Sequence, residues 1–225
     1  MAQRAEFKNS LDDFPTPLWA TRALVEHVIV SKGSLSALTC LEPACGRGHM
    51  AVALAAYFKE VVAYDVFDYG FGRVADFLKT KHPDKSFDWV VTNPPFRLGE
   101  EFINHSMGIA RRGVAMLTRT VFIESVGRYE RLFKSNPPSR FAQFTERVPM
   151  VKGRVDKKAS TATGYAWVVW EKDQLGKSEV VWIPPCRKAL EREGDYQQAP
   201  RIPDLQPNVT VLPIRRHADR DLFST

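Results

Sequence analysis

The segment ALTCLEPACGRGHMAVALAAYF, residues 37–58, decides the fold. Residues 37–41 form a short apolar run that predicts a buried strand. Residues 42–48 combine a proline with two glycines and predict a tight turn, and the small apolar residues that follow predict a helix over 49–58. The segment therefore indicates a strand that enters a helix through a glycine-containing loop.

Strands and helices alternate on both sides of this segment. Thr16 and Pro17 suit the cap and the first position of a helix, which is predicted over residues 18–30. Further strands are predicted over 61–64, 87–92 and 114–118, with a helix over 100–111. Alternation of this kind predicts a parallel sheet with helices on both faces.

The second half of the sequence is less regular. It contains a predicted helix over 122–133 and predicted strands over 140–150, 165–171 and 180–183. Six of the fifteen prolines lie in residues 184–225, so irregular structure is predicted there. We therefore divide the chain into a flexible N-terminus (1–13), one α/β domain (14–183) and a proline-rich C-terminal extension (184–225).

Composition excludes several classes of protein. The chain has 225 residues, 44% hydrophobic and 26% charged, as expected of a globular protein with its own core. Cys40, Cys45 and Cys186 lack the paired spacing of a zinc site or a disulfide framework, which indicates a reducing compartment. No apolar run approaches the roughly 18 residues of a membrane span, and the N-terminus lacks the apolar core of a signal peptide.

Three loops with unusual residues each follow a predicted strand: 42–48, 65–72 and 93–96. In a parallel sheet with right-handed crossovers, such loops lie together at the carboxyl edge. Open sheets of this type bind their ligands at that edge. The sequence therefore predicts a ligand site formed by the three loops.

The chemistry of the first loop favours a cationic ligand. Its glycines allow the backbone to approach a ligand closely, but the full glycine fingerprint of a phosphate-binding loop is missing. Glu42, at the start of the loop, suits an amino group or a sulfonium better than a phosphate. The alternative is that residues 42–48 form only a tight strand-to-helix turn.

Carboxylates after the second strand suit a nucleoside. Asp65 closes that strand, where a carboxylate can accept hydrogen bonds from two ribose hydroxyls. Asp68 competes for this role, and we prefer Asp65 because it closes the strand. Asp76 and Phe77 together suit an adenine, the first by binding its amino group and the second by stacking on its ring.

Asn93-Pro94-Pro95-Phe96 is the most specific motif of the sequence. The two prolines fix the backbone and remove two amide donors, which leaves the carbonyls of Asn93 and Pro94 free for a ligand. The Asn93 side chain adds an acceptor, and Phe96 adds a flat apolar face. Acceptors beside a stacking ring suit a planar amine, whereas the alternative is a proline-rich surface turn.

The order of these motifs resembles that of the S-adenosylmethionine-dependent amino-methyltransferases, especially the DNA adenine-N6 methyltransferases of the gamma group. The resemblance covers residues 12–171, and residues 14–17 (FPTP) are similar to that family's motif at the methionine end of the cofactor. It implies a Rossmann-like class I methyltransferase fold with a mostly parallel, seven-stranded sheet. Larger gamma enzymes carry a separate target-recognition domain, whereas only about fifty residues follow residue 171 here. We therefore expect target specificity to be short, relaxed or supplied by a partner.

The resemblance also implies roles for individual residues. Thr16 is expected to contact the carboxylate end of S-adenosylmethionine, and Asp65 its ribose hydroxyls. The other expected cofactor contacts are Glu42, Ala44, Cys45, Gly46, Asp76, Phe77 and Asn93. The expected catalytic residues are those of the motif itself: Asn93 and Pro94 as acceptors for the target amine, Pro95 in the rigid loop, and Phe96 as the stacking ring.

The implied activity is methyl transfer to the N6 amine of adenine in DNA, with the target base flipped out of the duplex. The alternatives are methylation of an RNA base at adenine N6 or guanine N2, methylation of a protein glutamine, and a non-catalytic module that binds nucleic acid. No metal is needed, because the methyl group is already activated and oriented acceptors suffice. The implied location is the cytoplasm of a bacterium or of a phage-infected cell.

One segment of the chain concentrates positive charge. The net charge of the chain is +6, and residues 140–158 carry six basic and two acidic side chains. We predict that the basic ones contact a nucleic-acid backbone: Arg140, Arg147, Lys152, Arg154, Lys157 and Lys158. The alternative is a solvated surface loop.

Overall fold

A computed structural model describes residues 12–29, 34–174, 176–197 and 208–211. The strands of its sheet are β1 (Thr39–Glu42), β2 (Glu60–Asp65), β3 (Arg73–Val74), β4 (Phe87–Thr92), β5 (Ala110–Arg119), β6 (Arg140–Phe144), β7 (Tyr165–Glu171), β8 (Glu179–Ile183) and β9 (Val209–Val211). The helices are α1 (Leu18–Leu24), α2 (His49–Ala55), α3 (Gly99–Ile109), α4 (Val126–Arg128) and α5 (Arg187–Leu190). A π-helical turn extends α1 over Val25–Ile29.

The strand order of the sheet is β3-β2-β1-β4-β5-β7-β6-β8, and β9 also pairs with β2. Strands β2, β1, β4 and β5 are mutually parallel, whereas β7 is antiparallel to both of its neighbours. The predicted α/β fold with a mostly parallel sheet is confirmed. The count of seven strands is too low, because β8 extends the sheet beyond β6 and β9 lies beside β2.

Two predicted elements of the second half are wrong in extent. The helix predicted over 122–133 is divided into a 3₁₀ turn, α4 and a π-helical turn (Tyr129–Phe133). Ser125 causes the break, since its hydroxyl accepts a hydrogen bond from the Arg128 amide at 3.3 Å and starts a new helix. The strand predicted over 140–150 ends at Phe144, where its pairing with β8 also ends.

The helices cover both faces of the sheet and bury two apolar clusters. Trp167 and Trp170 in β7 show the division, because residues three apart in a strand point to opposite faces. Trp167 belongs to the cluster under α1 and donates its indole hydrogen to the Ala20 carbonyl at 3.0 Å. Trp170 belongs to the cluster under α3, and both indoles are fully buried.

The described part of the C-terminal extension packs on the domain. Arg22 in α1 forms a buried ion pair with Asp195, with the nearer nitrogen and oxygen 2.6 Å apart. Farther along the chain, β9 pairs in parallel with β2. Among the described residues, no helix has the length and apolarity needed to cross a bilayer.

The topology brings the three unusual loops to one edge of the sheet, as the sequence predicted. They follow β1, β2 and β4, and the strand order reverses between β1 and β4. The connection from β6 to β7, residues 145–164, reaches the same carboxyl edge, because Tyr165 at the start of β7 pairs with Arg119 at the end of β5. Loops that precede the parallel strands lie at the opposite, amino edge.

Gly48→Ala is expected to destabilise this fold. Gly48 has a φ of +84°, and an added Cβ would lie 2.3 Å from the ring of Phe71, which is buried in the core. The left-handed backbone and the steric clash together are expected to lower the free energy of unfolding by about 2–4 kcal/mol. Chemical denaturation followed by circular dichroism measures this loss.

Gly70→Ala is the matched control for that experiment. Gly70 has a similar φ of +80°, but an added Cβ would meet no atom of a described residue within 4 Å. The decrease in the free energy of unfolding of Gly70→Ala should therefore reflect the backbone conformation alone, about 1–2 kcal/mol. Equal losses in the two variants would contradict the role of Gly48 in admitting the Phe71 ring.

Candidate active site

The loops at the carboxyl edge enclose a cavity of about 550 Å³. It lies where the strand order reverses, which is the usual ligand site of an open α/β sheet. All nine residues predicted to bind a cofactor line it: Thr16, Glu42, Ala44, Cys45, Gly46, Asp65, Asp76, Phe77 and Asn93. In the 93–96 motif, Asn93 and Pro95 line the cavity, whereas Pro94 and Phe96 lie outside its wall.

Asp65 holds the glycine loop against the end of β2. One of its carboxylate oxygens accepts a hydrogen bond from the Gly46 amide at 2.9 Å, and the other accepts one from the Phe67 amide at 3.0 Å. Burial raises the pKa of Asp65, and these amide bonds oppose the rise. Each oxygen keeps a further lone pair, so the carboxylate can also accept hydrogen bonds from ligand hydroxyls. Asp68 instead binds the Gly70 amide at 2.8 Å and lies outside the cavity wall.

Glu42 is the most deeply buried carboxyl of the cavity. The residue is 2% exposed, and its Oε2 has no hydrogen-bond partner among the described residues. Burial, followed by the charge of Asp65, raises the pKa of Glu42 well above its usual range. A buried acceptor without a partner is costly, so this wall favours a ligand that brings a donor or a positive charge.

Cys45 contributes a small, uncharged group to the same wall. Burial raises the pKa of its thiol well above the usual value, and the negative charges of Glu42 and Asp65 add to the rise. Its Sγ lies 3.8 Å from the Phe71 carbonyl oxygen. A buried thiol beside two carboxyls is not activated as a nucleophile, in agreement with the lining role expected of it.

A carboxylate and an aromatic ring lie together at another part of the cavity. Asp76 accepts a hydrogen bond from the Leu78 amide at 3.1 Å, and its hydrogen-bonded ion pair with Lys79 lowers the pKa of its carboxyl. The Phe77 ring is almost fully buried and meets the His105 ring edge-on, with 4.6 Å between centroids. The structure thus brings together the pair that the sequence assigns to adenine.

The Asn93 side chain is held in one orientation. Its Nδ2 donates a hydrogen bond to the Phe14 carbonyl at 3.1 Å. Its Oδ1 is buried and has no hydrogen-bond partner among the described residues. Pro95 tightens the loop, since its carbonyl accepts a hydrogen bond from the Leu98 amide at 2.9 Å. The amide at the cavity wall therefore keeps a free, fixed acceptor.

The Phe96 ring lies beside this amide with both an aromatic and a cationic neighbour. The Phe14 ring is tilted against it, with 5.4 Å between centroids. The Arg119 guanidinium lies over the ring, 3.9 Å from its centroid. Stacking of Phe96 on a target base stays a prediction.

The structure adds a segment whose contacts the sequence did not predict. Residues 12–16, which we call the strap, line the cavity, and Asp12 accepts a hydrogen bond from the Phe96 amide at 3.0 Å. Asp12 and Asp13 thus belong with the domain, although the sequence pattern assigned both to the flexible N-terminus. The remaining residues of that terminus, 1–11, lie outside the described residues.

Asp13 joins the strap to two further loops. Its carboxylate pairs with Arg47 of the glycine loop at 2.9 Å. Its backbone carbonyl accepts a hydrogen bond from the Gly153 amide at 2.8 Å, within the basic connection between β6 and β7. The basic connection is therefore fixed beside the cavity.

The six predicted nucleic-acid contacts divide into one buried residue and five exposed ones. Arg140 is 7% exposed, pairs with Glu171 at 2.9 Å and donates to the Val28 carbonyl at 3.0 Å. Its charge is used inside the fold, so its assignment to a nucleic-acid surface is wrong. The exposed residues all lie in the connection at the carboxyl edge: Arg147, Lys152, Arg154, Lys157 and Lys158.

Comparison with known proteins supports the fold. The chain matches no family model and no curated protein sequence. Among solved structures, a protein of Pyrococcus horikoshii with an inferred RNA methyltransferase activity is 18% identical, with a TM-score of 0.55 over 73% of this chain and 92% of that chain. The methyltransferase subunit of a type I restriction-modification system from Streptococcus thermophilus is 11% identical, with a TM-score of 0.52 over 82% of this chain and 50% of that chain.

A third similar structure is an inferred class I S-adenosylmethionine-dependent methyltransferase of Listeria monocytogenes. It is 14% identical, with a TM-score of 0.51 over 76% of this chain and 65% of that chain. The chain therefore has the class I methyltransferase fold. It spans half the length of the Streptococcus subunit.

His49, a further lining residue, should make stability depend on pH. It is 5% exposed, and burial followed by the charge of Arg47 lowers its pKa from 6.5 to about 4. As the pH falls through this range, the unfolded chain gains a proton that the folded chain does not, so stability falls. We expect His49→Gln to remove up to about 3 kcal/mol of this acid-induced loss, as measured by denaturation at several pH values.

The matched control is His27→Gln, which removes an exposed imidazole instead. The difference in stability between wild type and His49→Gln should grow as the pH falls from 6.5 towards 4, whereas the difference between wild type and His27→Gln should not. Buried acids with raised pKa values, such as Glu42, are present in all three proteins and cancel in each difference. A difference that stays constant with pH would contradict the buried, neutral state of His49.

Proposed function

We propose that this protein transfers a methyl group from S-adenosylmethionine to the exocyclic N6 amine of adenine in DNA. The observation that carries the proposal is the orientation of Asn93. Its amide nitrogen is bound to the strap, and its buried oxygen, at the wall of the cavity, has no hydrogen-bond partner in the part of the chain that the structure describes. A fixed acceptor of this kind fits an amine that must be held while it attacks.

The residues of the cavity fit the cofactor. S-adenosylmethionine would supply a methyl group that is already activated on a positively charged sulfur. Glu42 would offer its unpartnered oxygen to the cationic end of the molecule, and Asp65 would accept hydrogen bonds from the ribose. Asp76 and Phe77 would hold the adenine of the cofactor, as the resemblance implies.

The 93–96 motif would prepare the target amine. The lone pair of an aromatic amine is delocalised into its ring, which makes the nitrogen a poor nucleophile. Acceptors at Asn93 Oδ1 and at the Pro94 carbonyl would bind the two amine hydrogens and favour a pyramidal nitrogen. Because the strap and two prolines fix these acceptors in advance, they need no reorganisation during the reaction.

Charge at the carboxyl edge supports a nucleic acid as the substrate. Five cations project from the connection between β6 and β7, and the Asp13–Gly153 hydrogen bond fixes this connection beside the cavity. Cations that surround the mouth of an active site would bind backbone phosphates and position the strand. We choose adenine in DNA over RNA because the motif order resembles that of the DNA adenine methyltransferases. RNA methylation is an outcome that the first experiment distinguishes.

Asn93→Ala is expected to lower kcat for methyl transfer by about 10²–10³-fold, because it removes a preorganised acceptor from the transition state. Binding of S-adenosylhomocysteine should change little, since most contacts in the cavity remain. The assay follows label from S-adenosylmethionine into unmethylated genomic DNA and, in parallel, into bulk RNA. Nucleoside analysis of the product should identify N6-methyladenine in DNA.

The chain offers a close control for this variant. Asn136-Pro137-Pro138 repeats the first three residues of the motif, but Asn136 is exposed and precedes β6 at the amino edge. Asn136→Ala should leave methyl transfer unchanged. Label in RNA alone would reassign the substrate, and equal rates for wild type and Asn93→Ala would contradict the proposed role of the amide.

Reversing the charge of the basic connection should weaken DNA binding. With Lys152, Arg154, Lys157 and Lys158 all changed to Glu, the connection should no longer bind phosphates. The slope of log K against log salt concentration should become smaller by about 0.9 for each phosphate that the protein no longer neutralises. Fluorescence anisotropy with labelled duplex DNA at several salt concentrations measures both effects.

A control with the same change in charge uses four exposed lysines that lie outside both the cavity wall and the basic connection: Lys59, Lys81, Lys85 and Lys177. If this control weakens binding as much as the first variant does, the basic connection is not the DNA-binding surface.

A further inference from the structure

We infer that a second groove at the carboxyl edge binds the nucleotide next to the target base. This inference rests on the proposed function and adds a site to it. The groove has a volume of about 350 Å³ and lies where β5 and β6 end and β7 begins. We call it the β6–β7 groove, and its walls include Thr120, Gln143, Thr145, Arg147 and Tyr165.

Arg119 connects this groove to the target site. It is the last residue of β5, so Thr120 in the groove wall follows it directly, and it pairs across the sheet with Tyr165 of the same wall. Its guanidinium lies 3.9 Å from the centroid of the Phe96 ring. A strand that places one base against the 93–96 motif would therefore pass Arg119 before its next nucleotide reaches the groove.

The charges around the groove favour a phosphate-containing ligand. Arg119 and Arg147 are exposed, and neither forms an ion pair with a described residue. Glu146 also lines the groove, but its Oε1 accepts hydrogen bonds from the Cys186 amide at 2.6 Å and the Arg187 amide at 2.7 Å. These two amide donors thus partly neutralise the negative charge of Glu146. Two guanidinium groups that flank one groove can bind phosphate oxygens in pairs.

Gly164 allows the walls of the groove to converge. An added Cβ at this position would lie 3.0 Å from the Thr120 hydroxyl and 3.4 Å from a guanidinium nitrogen of Arg147. The same nitrogen donates a hydrogen bond to the Ala162 carbonyl at 3.1 Å, which holds Arg147 over the glycine. Arg147 therefore has a fixed position at the groove, unlike a freely rotating surface arginine.

The size and polarity of the groove also suit a nucleotide. Its volume is at the lower end of the range of small-ligand pockets, roughly 300–1,000 Å³. The Thr120 hydroxyl and the Gln143 Oε1 provide hydrogen-bonding groups beside the Tyr165 ring. The Thr145 hydroxyl instead donates to the Ile183 carbonyl at 2.7 Å, and Gln143 Nε2 donates to the Phe144 carbonyl at 2.7 Å. We assign the phosphate between the two nucleotides to Arg119, and the neighbouring nucleotide to the groove with Arg147.

The first test measures binding and does not depend on methyl transfer. The probe is a short, labelled, single-stranded oligodeoxynucleotide, titrated by fluorescence anisotropy at several salt concentrations. The double variant Arg119→Gln/Arg147→Gln should bind more weakly, and its slope of log K against log salt should be smaller by about 0.7 for each phosphate that it no longer neutralises. Arg112→Gln/Lys177→Gln removes two exposed cations at the amino edge and should bind like the wild type.

The second test asks whether the groove holds the neighbouring base. Removing the base on one side of the target adenine, as an abasic nucleotide, should raise KM for methyl transfer about tenfold in the wild type, as expected for the loss of roughly 1.4 kcal/mol of binding. With the same abasic substrate, KM should rise much less in the Arg147→Gln and Gly164→Ala variants, because the groove of each variant is already impaired.

The outcomes separate the two proposals. If the wild type transfers methyl groups but the double variant keeps wild-type affinity and salt slope, the groove is overturned and the proposed function stands. If oligonucleotide binding depends on the two arginines but no nucleic acid is methylated, the proposed function is overturned, and the groove stands as a nucleotide-binding site without a neighbouring target base. If the wild type does not bind the oligonucleotide, the proposal that the groove binds a nucleotide is contradicted.

Discussion

Asn93 can present its side-chain oxygen to a ligand because the Phe14 carbonyl binds the nitrogen of the same amide. This hydrogen bond joins residues 79 positions apart in the sequence and fixes the middle of the strap to the 93–96 motif. Asp12 holds the Phe96 amide in the same way, and Asp13 pairs with Arg47 of the glycine loop. One short segment therefore sets the relative positions of the proposed cofactor loop and the proposed target loop.

Two oxygens at the wall of the cavity are left unsatisfied by the described part of the fold. Glu42 Oε2 and Asn93 Oδ1 are buried without partners among the described residues, and each such group costs about 1–3 kcal/mol. The large apolar clusters on both faces of the sheet offset this cost. A ligand that brings donors to both oxygens would recover part of it and so stabilise the folded state on binding. This pattern is typical of a site preorganised for a polar, partly cationic ligand.

The sequence was informative where the decisive contacts are local. The strand, loop and helix of residues 37–58 and the loops after β2 and β4 have strong local patterns, so their common edge could be predicted. The run of basic residues predicts a surface position for Arg140, because a local pattern does not reveal that Arg140 pairs with Glu171 and donates to the Val28 carbonyl inside the fold. The FPTP motif places Thr16 at the cofactor site, but the contacts of Asp12 and Asp13 cannot be predicted, because they reach residues far along the chain. The local pattern predicts β8 as a strand over 180–183, but it predicts neither the pairing of β8 with β6 nor the strand β9, which lies in the extension expected to be irregular.

The most direct test of this account is the crystal structure of the protein with S-adenosylhomocysteine and an adenine-containing oligonucleotide. We predict that the cofactor product binds in the cavity between Glu42 and Asp76. We also predict an extrahelical adenine whose N6 lies about 2.7–3.2 Å from Asn93 Oδ1. Cofactor product bound elsewhere, or a target base held away from the Asn93 amide, would contradict this account.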